Sequence, residues 1–160
     1  MKPLLAAGLL LTACSLAHAD NDLSLLAYGA SIHSQCSGKR CDFNGENPGL
    51  GLEWAPLGND ADGRWIGRVG SYRDSFRETA WFVAGGWRKE WQLGSSPLYA
   101  GTTLLVGYLD GSGVKQVVAF PMLSIGTRKL ALEVGYVPKM DYTPHKTRVA
   151  VTTFSLRWTF

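Results

Sequence analysis

A histidine, an aspartate and a serine are the residues of this 160-residue chain whose types could support nucleophilic chemistry. Asp74 and Ser75 are adjacent, and His33 lies well before them in the sequence. A serine hydroxyl becomes a useful nucleophile when a base takes its proton, histidine is the usual base, and a carboxylate can orient the imidazole. The residue types alone leave two interpretations open, because a solvated histidine and an Asp-Ser turn are also common.

The N-terminal residues 1–19 have the pattern of a secretory signal peptide. Lys2 gives a positive start, residues 4–11 form an apolar run, and residues 17–19 form a small-x-small cleavage site. A lipobox that ends at Cys14 is the alternative, in which this cysteine would be lipidated and retained. We favour cleavage after Ala19, which leaves residues 20–160 as one domain.

The composition favours many short strands. The chain has 19 Gly and six each of Trp, Tyr and Phe, whereas charged residues make up only 18%, below the roughly 25% that is usual for a soluble domain. Glycine and aromatic residues at even spacing are typical of all-β folds. The net charge of +3 is too mild to indicate a nucleic-acid partner, and no later segment has the ~18 apolar residues that a spanning helix needs.

The C-terminal residues 149–160 alternate between two kinds of side chain. Period two places alternate residues on opposite faces of a strand. One face is apolar and ends in aromatics, as expected of side chains that contact lipid, and the other is mostly small or polar, as expected of a barrel interior. The last strand of a soluble sandwich is the alternative. The predicted outward set is Ala150, Thr152, Phe154, Leu156, Trp158 and Phe160, and the inward set is Val149, Val151, Thr153, Ser155, Arg157 and Thr159.

Seven further strands can be assigned, which predicts an all-β fold: an eight-stranded antiparallel outer-membrane β-barrel. Short turn-like connections alternate with a second set of connections, as in barrels with short periplasmic turns and longer outer loops. The interior of so small a barrel holds only side chains or one small ligand. The predicted strands are residues 23–33, 49–55, 64–72, 80–91, 98–109, 114–126, 130–138 and 149–160.

The inward faces of two strands predict an apolar slot. On the first strand we expect residues 25, 27, 29, 31 and 33 to face inward, and on the fourth residues 80, 82, 84, 86, 88 and 90. Small and apolar side chains would line the slot, and Arg88 and Glu90 would close it. Ordinary packing of the interior is the alternative.

The two cysteines of the mature chain, Cys36 and Cys41, form an even pair. The bacterial periplasm oxidises such pairs, so we expect a disulfide, with free thiols as the alternative. Metal binding needs more ligands than this pair supplies.

Several motifs, taken in order, resemble the PagP-type lipid A palmitoyltransferases over nearly the whole mature chain. The Asp-Ser pair before a Gly-Trp sequence is the most specific of them. The matching segments are Ser31-Ile32-His33, residues 47–52 (NPGLGL), residues 72–76 (YRDSF), Gly85-Gly86-Trp87, Phe120-Pro121 and Tyr136-Val137-Pro138.

The resemblance implies a role for each matching residue. His33, Asp74 and Ser75 would be the catalytic set, and Gly86 would form the floor of the acyl pocket. Pro121 and Pro138 would interrupt strand pairing and let a lipid enter sideways, since proline lacks the ladder donor.

The resemblance also implies partners and a location. The enzyme would move a palmitoyl or similar chain from a phospholipid donor to lipid A, as a monomer without cofactor or metal. It would lie in the outer membrane of a Gram-negative bacterium with its active site at the cell surface. Two features depart from the family: the amphipathic helix that commonly precedes the first strand is missing, and the Cys36–Cys41 pair is unexpected.

Two other functions remain as alternatives. A lipid A or phospholipid hydrolase could use the same residues with water as the acceptor. A non-enzymatic outer-membrane barrel would use none of them.

Overall fold

Eight antiparallel strands close into a barrel in the computed structural model of the chain, which describes residues 22–37, 41–111, 113–142 and 147–160. Each strand pairs with its neighbours in sequence, and β1 pairs with β8 to close the sheet. The predicted all-β, eight-stranded fold is confirmed. The predicted signal peptide lies outside the described residues. Within the described ranges, no helix is long and apolar enough to cross a bilayer.

The strands agree with the predicted ones and are mostly longer. β6 has the predicted bounds, whereas β1 and β7 extend further toward one end of the barrel. That end carries the connections after β1, β3, β5 and β7, and we call it the loop end. The opposite end carries the tight turns after β2, β4 and β6, and we call it the terminal end. The strands are β1 Asp22–Ser37, β2 Glu46–Asn59, β3 Gly63–Arg73, β4 Thr79–Gln92, β5 Tyr99–Gly111, β6 Val114–Gly126, β7 Leu130–Tyr142 and β8 Thr147–Thr159.

Period-two alternation gives the barrel an apolar exterior. On β8, Arg157 and Thr159 are buried while Leu156 and Trp158 are exposed, as predicted. Ala150 departs from the pattern, because it is buried on the face predicted to be outward. On β4 the predicted inward face is confirmed. Across the described residues 25 large hydrophobic side chains are exposed, far more than the isolated apolar residues on a soluble surface.

The predicted inward face of β1 is wrong for its first half. Ser24 and Leu26 are fully buried inside the barrel, so Leu25 and Ala27 lie on the opposite face. The register of β1 shifts between Tyr28 and Ala30 against both neighbouring strands. A bulge of this kind inserts one residue and exchanges the two faces beyond it. Ser31 and His33 therefore face inward, as predicted.

Six charged side chains fill the interior toward the terminal end; we call them the ion cluster. Arg68 binds Glu53 and makes two bonds to Glu133, at 2.7 and 2.9 Å. Arg157 joins Glu133 to Glu90. Three positive charges meet three negative ones, so the cluster is neutral, which buried charges require. Its members are Glu53, Arg68, Arg88, Glu90, Glu133 and Arg157.

Arg68→Met is expected to lower the free energy of unfolding by about 3–5 kcal/mol, because Glu53 and Glu133 each lose one of their two arginine partners and the buried cluster is left with a net negative charge. The matched control is Lys115→Met. Lys115 pairs with Asp110 but is 72% exposed, so its loss should change stability by less than about 1 kcal/mol. Urea titration in detergent micelles, followed by tryptophan fluorescence, measures the free energy of unfolding of both variants. An equal decrease in the two variants would contradict the structural role of the ion cluster.

Candidate active site

His33 and Ser75 meet at the loop end of the barrel. His33 lies near the end of β1 and faces inward, and Ser75 lies in the connection between β3 and β4. A hydrogen bond of 2.8 Å joins His33 Nε2 to Ser75 Oγ. This is the distance at which a histidine can take the proton of a serine hydroxyl. The structure thus brings together two of the three residues predicted to be catalytic.

Asp74 fixes the turn that carries Ser75. Its side chain is buried, with 1% of the residue exposed, and its Oδ1 accepts hydrogen bonds from the backbone N–H groups of Phe76 and Glu78 at 2.8 and 2.9 Å. Backbone bonds close the same turn, and Arg77 adopts a positive φ of 68° within it. Aspartate commonly stabilises turns in this way. That Asp74 also orients the imidazole stays a prediction.

A cavity of about 450 Å³ opens from this pair into the barrel. Most of its wall is apolar, and the loop-end side includes His33 and Ser75. Toward the terminal end, Leu105, Met122 and Arg68 line it. Arg68 belongs to the ion cluster, so the cavity ends where the buried charge begins. An apolar cavity thus lies inside the barrel as predicted, although Arg68 lines its charged end in place of the predicted Arg88 and Glu90. The volume is that of a small-molecule site.

Gly86, the predicted floor of the acyl pocket, lies beside a residue that lines the cavity. Gly86 is not among the lining residues, whereas Ala84, one inward position closer to the loop end, is. A Cβ atom at Gly86 would lie 2.2 Å from the backbone oxygen of Leu104 and 2.9 Å from Leu105 Cδ2. Gly86 therefore packs closely against β5 at the level of its ladder partner Leu105, and Leu105, Met122 and Arg68 line the cavity around that level. That Gly86 forms the floor of the acyl pocket stays a prediction. The glycine is needed for close strand packing.

Pairing between β6 and β7 covers only part of the strands. Their register runs from Met122–Gly135 to Gly126–Ala131, so the partners occupy only the terminal half. Pro121 comes immediately before Met122, where the pairing between β6 and β7 stops. Pro138 lies in the part of β7 that does not pair with β6. Pro138 and Val118 also line the cavity. The cavity therefore reaches a stretch of wall where the ladder is incomplete.

Several residues of the site were missed by the sequence analysis. The ring of Phe43 stacks on His33, with centroids 4.6 Å apart and planes 15° apart. Phe43 follows Cys41, which forms a disulfide with Cys36. Glu53 and Arg68 were detectable as charged residues on the inward positions of β2 and β3. Phe43 lies in a connection without periodicity, so no sequence signal could have placed it.

No protein-family model matches the chain, and no curated protein matches it. The likeness to lipid A palmitoyltransferases therefore stays a prediction that rests on the motifs. Among the described residues, no group of three His, Cys, Asp or Glu side chains is arranged to hold a metal ion.

Gly86→Ala is expected to lower the free energy of unfolding by roughly 1–3 kcal/mol, because its Cβ would overlap the β5 backbone and force overpacking. Gly85 is a matched control on the outer face of the same strand, where a Cβ would meet only Ile66 O at 3.8 Å. Urea titration should show Gly85→Ala near the wild type. A fully stable Gly86→Ala variant would contradict the packing described here.

Proposed function

We propose that this protein is an outer-membrane acyltransferase that moves a palmitoyl or similar chain from a phospholipid to lipid A. One observation carries the proposal: a serine hydrogen-bonded to a histidine opens directly onto an apolar cavity inside a closed barrel. The pair supplies a nucleophile and its base. The cavity suits the methylene chain of the acyl group that the nucleophile would receive.

The exterior of the barrel supports a membrane location. Exposed large side chains such as Val83, Leu104, Val106 and Leu123 are apolar along the middle of the strands, and Trp65, Trp91 and Trp158 lie nearer the terminal end. An apolar band flanked by aromatic side chains is typical of barrels in outer membranes. Closure also pairs most backbone groups within the sheet, which a medium without water requires.

The proposed reaction has two steps through Ser75. In the first, Ser75 Oγ attacks the carbonyl carbon of the phospholipid ester while His33 Nε2 accepts its proton. The ester bond breaks, and the released glycerol hydroxyl takes that proton. In the second step a lipid A hydroxyl attacks the acyl-serine, its proton passes to His33, and Ser75 leaves with the proton restored. Atoms and charges balance, and no cofactor is required.

Access from the bilayer would follow the gap between β6 and β7. An acyl chain could pass sideways at Pro121 and Pro138, because the two strands there lack the ladder bonds that close the rest of the wall. The chain would then lie in the cavity with its ester near His33 and Ser75. Leu105, Met122 and Arg68 would stop the methyl end.

Ser75→Ala and His33→Ala are each expected to lower transfer by several orders of magnitude, as is usual for members of a nucleophile–base set. Both variants should still fold, because the barrel does not depend on their bond. Ser34→Ala, an exposed neighbour of His33, is the control and should keep wild-type transfer.

Mass spectrometry of lipid A, with free fatty acid measured in the same sample, separates the outcomes. An added acyl chain supports transfer, and released fatty acid without addition identifies the hydrolase alternative. Near-wild-type transfer by both variants would refute the catalytic assignment.

Ala84→Leu is expected to shorten the acyl chain that the enzyme selects. The added carbons of the leucine side chain would point into the cavity beside Leu105. Each methylene of the acyl chain that no longer fits would lower the binding free energy by about 0.8 kcal/mol. Val83→Leu is the matched control, because Val83 is 51% exposed on the outer face. The mass of the acyl group added to lipid A measures the effect, and an unchanged length in an active Ala84→Leu enzyme would contradict the place of the acyl chain beside Ala84.

A further inference from the structure

Phe43 covers the imidazole that the proposed reaction uses. Its ring lies nearly parallel to the His33 ring, 4.6 Å away, and meets the ring of Phe76 edge-on at 5.9 Å. Phe76 directly follows Ser75. The three rings therefore form a continuous row of contacts, one parallel and one edge-on, that begins at the base and ends beside the nucleophile. His33 and Phe43 both line the mouth of the cavity.

Backbone hydrogen bonds dock the segment that carries Phe43 onto both parts of the site. Asn44 N donates to Ser75 O at 2.9 Å, and Ser31 N donates to Gly45 O at 2.8 Å. The Asn44 side chain donates to Asp74 O at 3.3 Å. The segment is thus joined on one side to the strand of His33 and on the other to the turn of Ser75.

The disulfide between Cys36 and Cys41 adds a covalent link. Cys36 lies three residues after His33, and Cys41 lies two residues before Phe43. The bridge therefore joins the end of the strand that carries the base to the start of the segment that carries the covering ring. It limits how far Phe43 can move away from His33.

We propose that Phe43 is a positioning residue that holds the His33 ring toward Ser75 and keeps water from the acyl-serine, so that a lipid hydroxyl is preferred over water as the acceptor. This inference rests on the proposed function and specifies its acceptor choice. The Phe43 ring takes the place of water against one face of the imidazole. It offers apolar contact to an acceptor that carries hydrocarbon and none of the hydrogen bonds that water needs, so its presence favours the lipid hydroxyl over water.

The stack also restrains the imidazole. The ring torsion of histidine is broad and roughly two-fold, so an uncovered ring would sample orientations in which Nε2 is directed away from Ser75. The parallel ring of Phe43 narrows the range of His33 ring orientations without touching the substrate. Loss of the Phe43 ring should therefore lower the rate of the chemical step and leave binding of the phospholipid donor nearly unchanged.

The test measures acceptor choice in Phe43→Ala and Phe43→Leu, with Phe43→Tyr as the conservative variant. Each full-length enzyme is placed in vesicles of phosphatidylethanolamine and lipid A, and both acylated lipid A and free fatty acid are measured. We expect the ratio of transfer to hydrolysis to fall about threefold to tenfold in the Ala and Leu variants, the range that an aromatic pair contributes. The KM for phospholipid should stay within about twofold of the wild type, and Phe43→Tyr should restore the ratio.

Trp158→Ala is the control for loss of a stacked ring elsewhere. Trp158 stacks on Phe160 at 5.9 Å at the opposite end of the barrel, so its removal should leave the ratio unchanged. Phe43→Leu keeps a large apolar side chain at position 43 but removes the aromatic ring. Heat modifiability on gels reports whether each variant is folded.

Three results would overturn the proposal: an unchanged ratio in folded Phe43→Leu, a fall in the ratio that Phe43→Tyr does not restore, or a shift of the same size in Trp158→Ala. A double variant, Cys36→Ser with Cys41→Ser, should shift the ratio in the same direction by a smaller factor, and a wild-type ratio would overturn the role of the bridge. A wild-type enzyme that neither transfers nor releases acyl chains would instead refute the proposed function.

Discussion

The buried ion cluster is the constraint on which the rest of the barrel depends. Three arginines and three glutamates from five strands fill the terminal half of the interior, and almost all are shielded from solvent. A buried charge is tolerated only when opposite charges and hydrogen bonds surround it. Each strand that contributes a member must therefore keep one register relative to the others. A slip of one residue would turn that charge outward toward the apolar surface.

The cluster also divides the interior into two regions with different roles. Toward the terminal end from Arg68 the interior holds the other buried charges and a few apolar side chains such as Ile66. Toward the loop end the wall is mostly apolar and encloses the cavity. Tyr28 borders the cavity at the upper side of this division, and its ring fits a recess left by two glycines; Cβ atoms at Gly51 and Gly70 would lie 2.7 and 3.0 Å from its hydroxyl. A methylene chain would find apolar contacts down to Arg68 and a costly charged surface beyond it.

The reactive groups lie where rigid strands pass into short connections. β1 carries His33, while the turn after β3 carries Ser75 and is closed by the carboxylate of Asp74. Residues 43–45 join these two parts by backbone bonds. A site assembled from connections reaches catalytic precision only when such bonds hold each part to the scaffold. The stacked rings of Phe43 and His33 and the nearby disulfide belong to the same arrangement.

The sequence by itself determined the number of strands, their approximate bounds and most of the faces, because period-two alternation is a local property of each strand. It also identified His33 and Ser75 as partners, through residue types and motifs. Only the tertiary structure decided the reversal of faces in β1, since Gly29 permits a bulge after Tyr28 but does not require one. The close packing of Gly86 against β5 and the partners of Arg68 likewise depend on the register between strands. The ring over His33 depends on contacts made by an irregular segment. Such contacts form only when the barrel closes.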